Sequence, residues 1–234
     1  MNIARSISAS LLVLFLLTGC DVNQNGDVMV EQAAALYEDG DYEAAVPVFK
    51  KALDKPLKEY PKSVALTMLG NCYNEMGEYE ESIKYHEMAI EEDPQNHRAY
   101  VNKGVVCRLM GDFDEAEQMY NKALEIEPNY AELHISLGAL YIHQEKYDQA
   151  VVELEKGVKL DDTLAVGHSN LAFAYATVGR FDDADRELKK AIVHGYTHPE
   201  VIRDRIEAFR AAAGEGAPAE EPAAEPTEEE AKDE

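Results

Sequence analysis

Residues 63–96 read SVALTMLGNCYNEMGEYEESIKYHEMAIEEDPQN, and the same arrangement of small and aromatic residues returns at a fixed interval along the chain. Gly77, Gly111 and Gly179 lie on a 34-residue grid, Glu145 occupies the missing node, and an aromatic follows two residues later each time: Tyr79, Phe113, Tyr147 and Phe181. Further rows keep the same phase. Small residues recur at Gly70, Gly104, Gly138 and Ala172, at Ser82, Ala116, Ala150 and Ala184, and at Ala89, Ala123, Gly157 and Ala191. A period of this length marks stacked helix pairs, in which each unit buries its apolar face only against its neighbours. Small side chains let two antiparallel helices approach closely. Glycine at the node ends the first helix of a pair, because a residue just past a helix end favours the left-handed conformation. Pro94 and Pro128 separate one pair from the next.

Leu69-Gly70, Tyr73, Gly77, Tyr79, Ser82, Ala89 and Pro94 fall where the tetratricopeptide repeat (TPR) pattern has them, and the unit from His97 repeats the match with Gly104, Gly111, Ala116, Tyr120, Ala123 and Pro128. The chain therefore resembles that family. The units from Ala131 and Ala165 keep most of the pattern, and a degenerate opening unit shows in Gly40, Tyr42, Ala45, Phe49 and Ala52, with three extra residues near LDKPLKEYPK. The resemblance implies an all-α, right-handed superhelical solenoid of about five helix-turn-helix units over 29–197. A capping helix follows over 198–211, with Val201, Ile202, Ile206 and Phe209 on its inner face. Such a scaffold presents a surface for a partner protein.

In the family the groove is lined by the first helix of each unit at positions three, four and three residues apart. Carried onto this chain, that spacing names Val64, Thr67, Asn71 and Asn74, then Arg98, Val101, Val105 and Arg108. It continues with Glu132, Ile135, Ala139 and Ile142, and with Val166, Ser169, Phe173 and Ala176. The candidate partner-binding residues are Asn71, Asn74, Arg98, Val101, Val105, Arg108, Ile135, Ile142 and Phe173, an apolar floor with two cationic handles. The alternative is that some of these apolar side chains face the neighbouring unit or the cap. The family's carboxylate clamp is disfavoured: Asn71 and Asn102 match its asparagines, while Thr67, Glu132 and Ser136 stand where its cations belong.

The N-terminus carries a second signal. Arg5 precedes the apolar run 11–17, too short to span a bilayer, and Leu17-Thr18-Gly19-Cys20 resembles the lipobox of bacterial lipoproteins. Residues 1–19 are thus expected to be a signal peptide, Cys20 the lipidated residue, and 20–28 a linker holding the array near the membrane, since two or three acyl chains make a durable anchor. Asp21 resembles an inner-membrane retention signal and Val22 adds nothing to it, so either membrane of the envelope fits.

The chain has 46 acidic and 22 basic residues, a formal net charge of −24, which argues against nucleic acid and anionic lipid as binding surfaces. From 212 onward it reads AAGEGAPAEEPAAEPTEEEAKDE, which has no large apolar residue and is expected to be a disordered acidic tail. Cys72 and Cys107 occupy small-residue positions of successive first helices, as buried thiols do. Chemistry is not in view. His86-Glu87 opens like a zinc-protease motif, but Ile90 stands at the second ligand position, and His194 and His198 flank a loop without accompanying ligands. No phosphate loop, dinucleotide fingerprint or nucleophile elbow is present. The expectation is a non-enzymatic, cofactor-free adaptor or assembly factor facing the periplasm. In layout it resembles lipoproteins that assist pilus secretin assembly and those that scaffold cell-wall hydrolases. The alternative is a self-associating structural envelope protein.

Overall fold

Where the first helix of a pair ends, Gly40, Gly77, Gly111 and Gly179 adopt φ of 81°, 75°, 86° and 78°, and Glu145 at the glycine-less node adopts φ 58°. The hydrogen bonds at the two kinds of node coincide. Glu78 N donates to Tyr73 O at 2.8 Å and Gly77 N to Asn74 O at 2.9 Å; Lys146 N donates to Tyr141 O at 2.8 Å and Glu145 N to Ile142 O at 3.0 Å. The six-to-one bond that closes a helix thus forms without glycine, at a backbone cost of about 1–2 kcal/mol for an L side chain in the left-handed region.

The computed structural model describes residues 25–214. Among them eleven helices follow one another: α1 (Gly26–Glu38), α2 (Tyr42–Leu53), α3 (Lys62–Glu75), α4 (Tyr79–Glu92), α5 (His97–Met110), α6 (Phe113–Ile126), α7 (Ala131–His143), α8 (Tyr147–Leu160), α9 (Ala165–Thr177), α10 (Phe181–Val193) and α11 (Pro199–Ala212). The grid aromatics open the second helix of each pair, and Asp41 and Asp112 cap two of those helices by accepting from Ala44 N and Glu115 N, each at 3.2 Å. Helix α1 starts at Gly26, ahead of the expected opening at Met29. The expected signal peptide, Cys20 and residues 215–234 of the expected tail lie outside the described residues.

The chain divides into two compact units, 1–110 and 111–234. In the first, α1 packs on α2, α2 on α3, α3 on α4 and α4 on α5, around Val30, Ala33, Ala45, Phe49, Leu69 and Cys72. The three extra residues lie in the loop after α2. The carboxylate of Asp27, itself 3 % exposed, accepts from Lys58 N at 3.0 Å, Glu59 N at 3.1 Å and Tyr60 N at 3.2 Å. Burial alone would raise the Asp27 pKa, but these backbone donors outweigh it and hold the acid below its usual range.

In the second unit α7 packs on α8, α8 on α9 and α9 on α10, while α11 lies on both α9 and α10. The inner face of α11 differs from expectation. Ile206 and Arg210 are buried at 1 % and 5 % exposed, whereas Val201 and Phe209 are 48 % and 37 % exposed. Arg210 replaces the expected apolar contact: it pairs with Asp185 at 2.6 Å and lies over the ring of Phe181. Its long apolar stem and single ion pair let a charged residue close this face.

Candidate functional site

The first helices of the pairs, α3, α5, α7 and α9, each keep one stripe open. Within the expected set the second position is buried every time: Thr67 6 %, Val101 3 %, Ile135 8 % and Ser169 2 % exposed. Val101 and Ile135 are therefore core residues and not part of an open apolar strip. For Ile135 the cause is visible inside the second unit, where it fills the space left by two glycines: a Cβ on Gly157 would come within 2.7 Å of its Cγ1, and one on Gly167 within 2.6 Å of its Cδ1. Ala176 is also buried, at 2 % exposed.

The residues that stay open follow steps of four, three and four. They are Val64, Met68, Asn71 and Glu75 on α3, and Arg98, Asn102, Val105 and Leu109 on α5. On α7 and α9 the same steps give Glu132, Ser136, Ala139 and His143, then Val166, Asn170, Phe173 and Thr177. Both spacings track one side of a helix, and they differ by a fraction of a turn. Of the expected residues, Arg98 is exposed and Asn71, Val105 and Phe173 are half-buried on the stripe, and Asn74, Arg108 and Ile142, equally half-buried, lie beside it. Met68, Glu75, Leu109, His143, Asn170 and Thr177 were missed, and alternation of partial burial along each helix is the signal that separates them from the core.

In the first unit the stripe mixes Val64, Met68, Val105 and Leu109 with Asn71, Glu75, Arg98 and Asn102. Asn102 Nδ2 donates to Asn71 Oδ1 at 2.7 Å, bridging α5 and α3. Beside them is a cavity of about 140 Å³ lined by Tyr37, Asn71, Asn74, Glu75, His86 and Asn102. Burial, and then the neighbouring Glu75 carboxylate, push the Tyr37 hydroxyl up to about 12, so it stays a neutral donor. Cys72 and Cys107 are buried and not joined in a disulfide, and burial pushes the Cys72 thiol up to about 12.

In the second unit the stripe ends at the cap. Phe173 meets Phe209 edge-on with ring centroids 6.0 Å apart and lies under the Arg205 guanidinium at 5.3 Å. Phe173 and Arg205, with Ile142, Asn170 and Ile202, line a cavity of about 460 Å³. Two repeat-equivalent polar clasps hold the helix pairs behind it. His134 Nδ1 lies 2.7 Å from Glu153 Oε2 and its Nε2 2.9 Å from Pro128 O; His168 Nδ1 lies 2.6 Å from Glu187 Oε2 and its Nε2 2.9 Å from Asp162 O. Lys156 and Lys190 complete them, at 2.6 Å from Glu153 and 2.7 Å from Glu187. Burial would raise the Glu153 pKa, but the hydrogen bonds from Lys156 and His134 prevail and hold it below the usual carboxylate range. These histidines are structural. Among the described residues no group of His, Cys, Asp and Glu could hold a metal ion, and no helix is long and apolar enough to cross a membrane.

Models of the tetratricopeptide repeat match residues 61–127, 108–166 and 165–190, a continuous stretch from 61 to 190. No curated protein matches the sequence significantly. Among solved structures, the chain is similar to TTC0263, a thermophilic TPR protein of Thermus thermophilus, at 23% identity and a TM-score of 0.65, over 80% of this chain and 99% of that one. It is similar to pilF of Pseudomonas aeruginosa at 17% identity and a TM-score of 0.65, over 81% and 86%. A third similarity is to MamA of Desulfovibrio magneticus, at 18% identity and a TM-score of 0.55, over 72% and 94%. At these identities the likeness concerns the fold.

Proposed function

Because the chain belongs to the tetratricopeptide repeat family, we propose that it is a membrane-tethered adaptor or assembly factor of the bacterial cell envelope. The TPR fold suggests protein partners, and repeat proteins of this family are generally non-enzymatic scaffolds. In this reading the chain is anchored through lipid on Cys20 and receives a segment of an envelope protein on the open stripe of its first helices. The observation that carries the reading is that stripe, seen in each unit by itself: Asn71, Arg98 and Asn102 in the first and Phe173 in the second stay at least partly accessible, while Thr67, Val101 and Ser169 on the same helices are buried. A helix kept only for packing has no need of such a set, and a partner segment gains polar contacts on the first unit or an aromatic contact on the second.

Two experiments test the two halves of the proposal. Cys20→Ser is expected to move the protein from the membrane fraction to the soluble one after a high-salt wash, and continued sedimentation with membranes would end the lipid-anchor reading. Affinity capture from detergent-solubilised membranes is then compared for the parent and for Phe173→Ala and Arg98→Ala. Loss of the same captured protein with unchanged circular dichroism supports the stripe, with the aromatic change costing more. Full capture by the double variant redirects the partner to another surface. Light scattering on the Cys20-deleted chain separates an adaptor, expected as monomer or small dimer, from a self-associating structural protein.

A further inference from the structure

One position of the second helix of each pair is filled by Phe49, Tyr120, Leu154 and Leu188, and in α4 by His86. All five are buried, His86 at 0 % exposed. The imidazole sits where Gly70 has no side chain: a Cβ there would lie 2.6 Å from its Cε1. Neither ring nitrogen has a hydrogen-bond partner, and neither has Asn74 Oδ1. Buried polar groups are nearly always satisfied, so the orphaned atoms of His86 and Asn74 mark residues that do not serve the fold itself. They border the 140 Å³ cavity of the first unit, which is several times the ~30 Å³ share of one water molecule.

The lining of that cavity sets the chemistry of what fits. It holds the Glu75 carboxylate, the Asn74 carbonyl, the amide groups of Asn71 and Asn102, the Tyr37 hydroxyl and the apolar Val105, and no lysine or arginine. Burial, and then the field of Lys103, keep His86 at about 3, so its ring is neutral at pH 7, with one nitrogen a donor and the other an acceptor. Lys103 is itself paired with Glu87 at 2.8 Å. The one formal charge on the lining is negative. An anion would face Glu75, and a carboxamide would leave that charge unanswered.

We propose that this pocket receives a primary ammonium, the head of a lysine side chain from a partner segment lying on the open stripe. Three N–H donors meet the Asn74 oxygen, the Glu75 carboxylate and the acceptor nitrogen of His86. The orphaned atoms are reached by turning the Asn71 and Asn74 amides, whose terminal torsions are soft. The inference rests on the adaptor reading only for the origin of the lysine; the pocket can be tested without a partner.

The test is a titration of the full chain with n-butylammonium, propionamide and propionate at pH 7 and constant ionic strength, followed by the His86 ring and Asn74 side-chain resonances. Butylammonium is expected to shift both saturably, at least tenfold more tightly than propionamide, with no response to propionate. Glu75→Gln is expected to weaken the ammonium tenfold. His86→Leu is expected to abolish the response while raising the melting temperature, whereas a purely structural histidine would lower it when replaced. Equal affinity for propionamide, a response that survives in His86→Leu, or silence from all three probes overturns the proposal. Saturable ammonium binding by a chain that captures no protein on its stripe supports the pocket and sinks the adaptor reading instead.

Discussion

The two units of this chain place their buried polar groups at opposite positions of the same repeat. In the first unit the second-helix core position holds His86 without a partner, and the positions matching His134 and Glu153 two periods on are Leu66 and Tyr85. In the second unit the core position holds Tyr120, Leu154 and Leu188, while His134 and His168 form clasps in which every ring nitrogen has a partner. The residue type is the same and the consequence differs. A buried histidine bonded to a carboxylate and a backbone carbonyl is part of the fold's own satisfaction of polar groups; one with two unpartnered nitrogens beside a cavity is not.

Exchanging the two chemistries breaks the comparison most forcefully. Leu154→His puts an imidazole against Gly138, whose absent side chain leaves room for leucine carbons, with no polar lining to meet it; the expected loss is about 3–5 kcal/mol in urea denaturation. The reciprocal His86→Leu is expected to stabilise by about 1–2 kcal/mol, since it removes unsatisfied polar atoms from a site the repeat otherwise fills with carbon. If both changes destabilise equally, the units do not differ in the way described.

Removing one clasp comes next. His168→Leu leaves Glu187, 8 % exposed, with only the solvent-side Lys190, and is expected to cost about 3 kcal/mol. Hydrogen exchange should show the loss in α9 and α10 and spare α3 and α4, because distant sites act independently.

Acid gives a smaller, graded effect. The folded His86 pKa of about 3 lies below the unfolded value of 6.5, so the unfolded chain takes up the proton first. The contribution is present in full above pH 6.5 and is lost as pH falls from there toward 3, by about 2 kcal/mol between pH 7 and pH 5. His86→Leu should flatten that part of a stability profile. Glu153, held low by Lys156 and His134, adds its own loss only as pH falls below its unfolded value of 4.5. The smallest change expected is Glu145→Gly, about 1 kcal/mol of stabilisation from relief of the left-handed backbone, read as a shift in denaturation midpoint. No shift would mean that the Glu145 side chain compensates for its strain.

Part of the candidate site was legible from spacing alone. Asn71, Arg98, Val105 and Phe173 stand on the open stripe because any face of a helix recurs every three or four residues. Val101 and Ile135 were misassigned for a reason that spacing cannot hold: Ile135 packs into the space beside Gly157 and Gly167, residues far along the chain. His86 was visible in principle. Reading it as the start of a failed zinc motif hid the row of Phe49, Tyr120, Leu154 and Leu188 in which it is the exception.

By itself the sequence determined the period, the helix ends and the family, because a node glycine, an aromatic two residues on and a capping aspartate act within a single turn of chain. The tertiary structure alone decided which side of each first helix stays open, that Arg210 closes the cap, and that His86 goes unsatisfied while His134 and His168 do not. Those outcomes depend on helices one repeat or more away. Burial and hydrogen-bond satisfaction are properties of what a side chain meets, and the residues that meet are not adjacent in the chain.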